Sequence, residues 1–442
     1  MEIETRFHFS GNRPAGRLPG VAEDLLELAD RLFTGAAPIE EHHPFRGAGE
    51  LAEVQPGCAF VQAFANSAVF ATPDGLVAID TSGVFHAARV HESVREWSSA
   101  RLDTAVFTHG HIDHVFGVDL YEEEARTNGW SPPRVIAHEL ISARFDRYRR
   151  TAGYNAVVNR RQFGIPALQW PVDYRYPDIT YRDDLVVDVG GERFELRHDR
   201  GETDDATWVW VPARRVLCTG DMFVWASPNC GNPQKVQRYA ADWAVALRSM
   251  AALDADVMMP GHGLPIIGSE RVGRALLDSA ELLEALLDQT LALMNEGARL
   301  DEIVHTVRAP AHLLERPYLR PIYDEPEFVV RGIWRYYGGW WDGNPAHLKP
   351  APEGAIAREI AELAGGASRL AQRAGELAGA GDLRIAGHLA ELAALAAPDD
   401  TGVHRVRAEV FGARRRAEAS TMSKGVFGWA ERESQSRLEN EQ

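Results

Sequence analysis

Cysteine is scarce in this chain, and positive charge is outnumbered. Cys58, Cys218 and Cys230 are its three cysteines, an odd and scattered set with no CxxC pair. That excludes a disulfide framework and leads us to expect a reducing, cytoplasmic setting. Lys and Arg number 47 against 64 Asp and Glu, a formal net charge of −17. Such a field repels polyanions, so nucleic acid is not expected as a partner, and an anionic small-molecule substrate would need a local basic pocket. Long apolar runs are also missing: none approaches the ~20 residues of a membrane helix, and no membrane association is expected. The opening Met1-Glu2-Ile3-Glu4-Thr5-Arg6 lacks the basic and apolar regions of a secretory signal. What the chain does have is length, 442 residues with 45% hydrophobic content. That suffices for two to three packed domains.

The most informative stretch is Thr108-His109-Gly110-His111-Ile112-Asp113-His114, which follows the apolar run Thr104-Ala105-Val106-Phe107. It reads as a strand ending in a donor-rich loop. His109 and His111, two apart, project to the same side of extended backbone. Asp113 and His114 then aim at a neighbouring position. A single ion cannot readily use four donors at such short range, so two adjacent ions are the natural reading. Imidazole with carboxylate suits zinc, and equally iron or manganese.

Around this cluster the chain alternates strands and helices. Residues 1–50 are punctuated by Pro and Gly, with a helical stretch expected over Val21–Phe33. Strands are expected at Cys58–Phe64, Ala68–Thr72 and Leu76–Asp80, the last two joined by a Pro73-Asp74-Gly75 hairpin turn. Asp80 reads equally as a helix cap and as a carboxylate that orients a ligand histidine. A helix over Arg89–Ser98 leads to the cluster, and 119–175 reads as mostly helical. Strands resume at Leu185–Val189, Phe194–His198, Trp208–Val211 and Val216–Thr219. A helix, Ala240–Leu253, precedes the strand Val257–Met259. Twice-repeated strand blocks separated by helices describe an α/β protein, an αββα sandwich with donors on loops at one edge.

Beyond Gly268 the pattern becomes helical. One long helix is expected over Arg271–Glu296, then aromatic-rich pieces up to Trp340-Trp341-Asp342-Gly343-Asn344-Pro345. Further helices follow Glu353, broken at Gly365-Gly366, Gly379–Gly381 and Pro398-Asp399. The last ~20 residues are polar and are expected to fray. The implied units are an N-terminal extension (1–50), a catalytic domain (51–270), a helical connector completing it (271–345) and a helical domain (346–442).

Three later donors, Glu202, Asp221 and His262, each sit at a strand end in a glycine-containing loop, where exposed side chains and close backbone packing are expected. With THGHIDH they bring the donors to seven. Together, THGHIDH, Gly220-Asp221 and Pro260-Gly261-His262-Gly263 resemble the metallo-β-lactamase-fold hydrolases. The resemblance implies two divalent ions, zinc in the first place. One site would be His109, His111 and Glu202, and the other Asp113, His114 and His262, with Asp221 bridging. Asp113 and Asp221 become the catalytic carboxylates, and a metal-bound hydroxide the nucleophile. Glu202 stands where the superfamily commonly has a third histidine.

A carboxylate there resembles the zinc-dependent alkylsulfatases in particular. So do Asn159-Arg160-Arg161 ahead of Phe163-Gly164, the stretch YYGGWWDGNPA from Tyr336 to Ala346, and the helical tail with Ala378-Gly379-Ala380-Gly381-Asp382. The resemblance implies hydrolysis of alkyl sulfate esters by a homodimer formed through the tail. Arg160, Arg161, Asn232, Lys235 and Arg238 are the candidates for holding the sulfate; Phe223, Trp225 and Tyr239 read equally as an apolar wall and as aromatics that pack the loop. Three departures stand out. Asp221 replaces the bridging glutamate of that family, and the family's basic pattern after the bridge is only loosely kept in Asn229–Arg238. The sequence also ends before a sterol-carrier-like domain, from which a shorter or more polar organic group than a detergent tail is expected. The same fold would serve a lactone, thioester or phosphoester, and a carboxylate-rich pair of sites would also accept iron for redox chemistry.

Overall fold

In the computed structural model, residues 24–439 are described apart from positions 44 and 48. Two sheets face each other. The first runs β1 (Glu50–Gln55), β2 (Cys58–Gln62), β3 (Ser67–Thr72), β4 (Gly75–Ile79), β5 (Leu102–Val106), β6 (Arg134–His138), β7 (Ile179–Tyr181), in that spatial order. The strands up to β4 form antiparallel hairpins, and β4 to β7 are parallel. The second sheet holds β8 (Asp184–Val189), β9 (Glu192–His198), β10 (Thr207–Val211), β11 (Val216–Val224), β12 (Val257–His262) and β13 (Ile266–Ile267). Its one parallel pair is β11 with β12, joined through the helix Ala240–Ala251.

Alternation along the strands builds two cores. Val77, Ile79 and Val106 face the second sheet, where Phe70 meets Phe194 edge-on at 5.3 Å. Leu76, Ala78, Ala105 and Phe107 face outward against the helices Ala87–Trp97, Val118–Asn128 and Ile141–Arg150. Both faces of these strands are covered, as parallel βαβ units require. On the far side of the second sheet, the helix Ser269–Asn295 buries Leu276, Leu282, Leu283 and Leu286. Each such leucine contributes about 1.5–3 kcal/mol. The αββα sandwich followed by helices is therefore the observed fold.

Two readings of the sequence change: a strand interrupts the helical segment 119–175, and the tail is helical. The segment 119–175 is mostly helical as expected, but it is interrupted: Arg134–His138 is strand β6, and residues 164–178 carry no helix. Val135, Ile136 and Ala137 are fully buried there, and a five-residue apolar run cannot be assigned by periodicity alone. The start of the first helix at Val21 lies outside the described residues. The helix runs Leu25–Phe33, capped by Asp24, and Leu25, Ala29 and Leu32 join the core between the sheets.

Up to Glu439 the tail is helical, against the expectation that it frays. Thr421–Glu439 is a helix in which Met422 and Ser434 are fully buried. Ser434 Oγ accepts from Arg407 at 2.9 Å and meets His404 Nδ1 at 3.1 Å. These tertiary partners hold a polar sequence that local periodicity leaves unassigned. Gly425 of the same helix packs so closely on Gln162 that a Cβ there would lie 2.1 Å from its carbonyl oxygen. The other tail helices, Glu353–Ala364, Ala367–Gly379, Leu383–Ala396 and Thr401–Ala417, break where glycine and proline predict. Among the described residues no helix is long and apolar enough to cross a membrane.

Candidate metal centre

The parallel strands end on one edge, where open α/β sheets gather ligands. The loop after β5 carries His109 to His114, β11 carries Asp221, β12 ends on His262, and the loop after β9 brings Glu202. Glycines make the convergence possible at two points. Gly220 is left-handed (φ +49°) and sits against Thr108, where a Cβ would lie 2.6 Å from the threonine Cβ. At Gly261 a Cβ would fall 2.2 Å from Asp221 Oδ1.

All seven expected donors meet. Their ligand atoms form three overlapping groups, each within 4.8 Å: His111, Glu202 and Asp221; Asp113, His114 and His262; His109, His114 and Asp221. Asp221 is central, with Oδ2 3.2 Å from His262 Nε2 and 3.7 Å from His109 Nε2, and Oδ1 3.4 Å from His114 Nε2. Asp113 Oδ2 is 3.4 Å from His262 Nε2 and 3.7 Å from His114 Nε2. His109 Nε2 and His111 Nδ1 face each other at 2.7 Å.

Two observations test whether this set fits cations. Glu202 Oε2, Asp221 Oδ1 and His114 Nε2 are buried and have no hydrogen-bond partner among the described residues. Left so, each would cost about 1–3 kcal/mol, more if charged. Meanwhile the other ring nitrogens are occupied. Asp80 Oδ2 takes His114 Nδ1 at 2.7 Å, the Phe64 carbonyl takes His262 Nδ1, and Thr108 Oγ1 meets His109 Nδ1 at 3.0 Å. Such partners fix the tautomer and leave Nε2 free to ligate. The donor set fits divalent ions.

Asp80 therefore serves as the orienting carboxylate. It also accepts from Thr108 N and Oγ1, both at 2.7 Å. It does this from a left-handed backbone (φ +58°), with Ser82 also left-handed (φ +66°). Non-glycine residues in that region carry about 1–3 kcal/mol of strain and concentrate at functional sites.

Electrostatics divide the histidines. Burial and then the His114 charge push His109 down to about 3, and burial with His109 and Arg144 holds His111 well below its ordinary value. Burial opposes charge on His114 as well, but Asp221, Asp80 and Asp113 outweigh it and raise that ring. The same contest lowers Asp221 well below the carboxylate range: burial loses to His262, His114 and His109. For Glu202 burial wins over Arg238, and its carboxyl is pushed up to about 8.

The residues expected to hold the substrate divide too. Lys235, half-buried, places Nζ 3.4 Å from Asn159 Oδ1 and 5.5 Å from the centroid of Trp170. Burial, then Arg238, push its ammonium down to about 8. Arg238 is buried and donates to Glu202 Oε1 at 2.8 Å. Arg160 donates from Nε to the Leu168 carbonyl, and Arg161 to Gln234 Oε1. Asn232 Oδ1 accepts from the Gln234 amide, closing its own turn.

Of the two readings of the aromatics after Asp221, packing is the one observed for Phe223 and Trp225. Phe223 and Trp225 are buried in the core, because β11 continues through Val224. Tyr239 instead meets Tyr336 edge-on, with ring centroids 5.8 Å apart. Rings that do border the centre are Phe45 and Phe64, 5.1 and 5.2 Å from His262, with Phe163 beyond Phe64 at 6.0 Å.

One residue of the site has no sequence signature. Tyr323 hydroxyl accepts from Gln162 Nε2 at 2.9 Å, and its ring meets Phe45 at 5.3 Å. Burial first, then the charges of Glu202 and Asp113, hold its phenol well above the ordinary value. It comes from an irregular segment placed by tertiary contacts alone, where no local pattern could have found it.

A family model for the metallo-beta-lactamase superfamily matches residues 62–262, the segment that carries all seven donors. Over these residues the chain is similar to the metallo-β-lactamase superfamily, and the two facing sheets are those of its fold. A second family model, for alkyl sulfatase dimerisation, matches residues 299–437. Among curated relatives, a linear primary-alkylsulfatase from Pseudomonas sp. is 29% identical over 362 residues, covering 77% of this chain and 68% of the relative. An (R)-specific secondary-alkylsulfatase from Pseudomonas sp. is 26% identical, covering 78% of this chain and 56% of its own length. An alkyl/aryl-sulfatase from Saccharomyces cerevisiae is 27% identical over 68% of this chain and 50% of its own. The chain thus spans about half to two thirds of the length of these relatives. In fold, it superposes on a stereoselective inverting sec-alkylsulfatase from Pseudomonas sp. with a TM-score of 0.77 at 24% identity, over 86% of this chain and 64% of that one.

Proposed function

We propose that this protein is a metal-dependent hydrolase of organic sulfate esters, acting as a homodimer. The observation that carries the reading is the convergence of seven donors with three buried ligand atoms left without partners, in a chain whose relatives are alkylsulfatases. One ion would be held by His109, His111 and Glu202 and another by Asp113, His114 and His262, with Asp221 shared. When bound, two such ions supply Lewis acidity and a water acidic enough to serve as nucleophile near neutral pH.

The chain's own groups do the rest. Asp80, Thr108 and the Phe64 carbonyl keep the ligand rings in register. Lys235 offers a charge to a sulfate oxygen, and Tyr323 a hydroxyl at the same face. Phe45, Phe64 and Phe163 present apolar surface for the organic group and limit water. Turnover of sulfate esters, compared with lactone and phosphodiester probes, tests the assignment; cleavage of either probe without sulfate release would overturn it. The commitment of Arg238 to Glu202 favours, as second reading, a less anionic ester such as a lactone.

Lys235→Met is expected to lower kcat/KM for a sulfate ester about tenfold to a hundredfold, the worth of one charge-assisted contact. Because the ammonium loses its proton as pH rises through about 8, substrate affinity of the parent enzyme should hold below that pH and decline above it. In the Met variant this alkaline decline in 1/KM should vanish, which a pH series of initial rates measures.

The tail helices bury mainly alanine among themselves, while Leu363 is 89% and Ile385 50% exposed. That uncovered surface and the dimerisation match over residues 299–437 support a homodimer. Light scattering at micromolar concentration should give twice the chain mass; a monomer would contradict it.

A further inference from the structure

Arg238 is 4% exposed, and its guanidinium is spent on three protein oxygens. Nε donates to the Asn229 carbonyl at 2.6 Å, Nη1 to the Val236 carbonyl at 3.1 Å, and Nη2 to Glu202 Oε1 at 2.8 Å. Asn229 Nδ2 donates to the same Glu202 oxygen at 2.5 Å. Both donors thus fall on Oε1, while Oε2, equally buried, has no hydrogen bond. Glu202 and Asn229 are 3% and 6% exposed, so water does not screen this arrangement.

Two physical consequences follow. A carboxylate with one oxygen saturated can offer only the other, which makes it a one-point ligand like the imidazole it stands in for. Once ionised, as a metal ligand has to be, a carboxylate paired at 2.8 Å with a buried guanidinium also brings no net charge to the site. An unpaired one would leave the bound cation less electrophilic. We infer that Arg238, with Asn229, is a positioning residue that fixes Glu202 as a single-oxygen donor and cancels its charge, rather than a group that grips the substrate. This inference rests on the two-ion reading above.

The test uses the full chain and zinc itself as probe, with metal affinity measured by chelator competition before any substrate is added. Arg238→Met should weaken one of two zinc ions about 10- to 100-fold, as loss of an outer partner does, and leave the other unchanged. kcat should fall with KM nearly constant. Arg238→Lys, which keeps charge but not the fork, should recover part of the affinity. Placed in a Glu202→His background, where no carboxylate needs a partner, Arg238→Met should cost little, so that the two losses do not add.

Unchanged zinc affinity with a raised KM in Arg238→Met would overturn the inference and make Arg238 a substrate group. Equal losses in the Glu and His backgrounds would overturn it as well. If Arg238→Met does not fold, the lysine variant and the Glu202→His pair carry the same comparison. A parent protein that binds fewer than two zinc ions would instead fail the reading beneath it.

Discussion

Replacing Asp221 with alanine should remove nearly all activity and at least one of two bound ions. Its two oxygens lie 3.2–3.7 Å from three imidazole nitrogens, and it belongs to two of the three donor groups. Without it, buried His109, His114 and His262 and half-buried His111 face one another with Asp113 and Glu202 as the remaining anions. The account asks the metal centre for several kcal/mol of transition-state stabilisation, so a loss of at least ~1,000-fold in kcat/KM is expected. Elemental analysis of the loaded variant, run beside the assay, checks both parts. Two ions retained with near-parental activity would be incompatible with a bridging role.

Asp80→Ala should be the most damaging change outside the ligand set. Three hydrogen bonds of 2.7 Å end on a side chain that is 2% exposed. Truncation strands the Thr108 amide and the raised His114 imidazolium without partner. Breaking a buried charged pair costs about 3–5 kcal/mol of stability, and losing a ligand's orienting partner about 10- to 100-fold in metal affinity. Asp80→Asn separates the two effects, since asparagine tolerates the left-handed backbone and keeps the shape while removing the charge. Urea unfolding of metal-free protein should show a larger loss for alanine than for asparagine. Equal stability of all three proteins would remove Asp80 from the account.

How much of this was legible in the sequence depended on how local each feature is. His109, His111, Asp113 and His114 lie within six residues after an apolar strand, so their chemistry is written contiguously. Glu202, Asp221 and His262 were readable because glycines mark the strand ends that bring them in. Arg238 was visible as a basic residue after the bridge, but its partner Glu202 lies 36 positions away, and spacing does not reveal a pairing. Tyr323 had no signature because Phe45 and Gln162 place it from distant parts of the chain. Phe223 and Trp225 looked available only while the strand was taken to end at Thr219. Continued through Val224, both faces of β11 are covered. The last helix escaped notice for a related reason, its stability lying in Ser434, Arg407 and Gly425 contacts rather than in an amphipathic stripe.

The most direct test of a two-ion sulfate-ester hydrolase is a titration of metal-stripped protein with zinc while sulfate release is followed. Activity should be absent at the start, rise with added metal and reach its plateau at two equivalents per chain. Full sulfate release at one equivalent, or with none, would contradict the account.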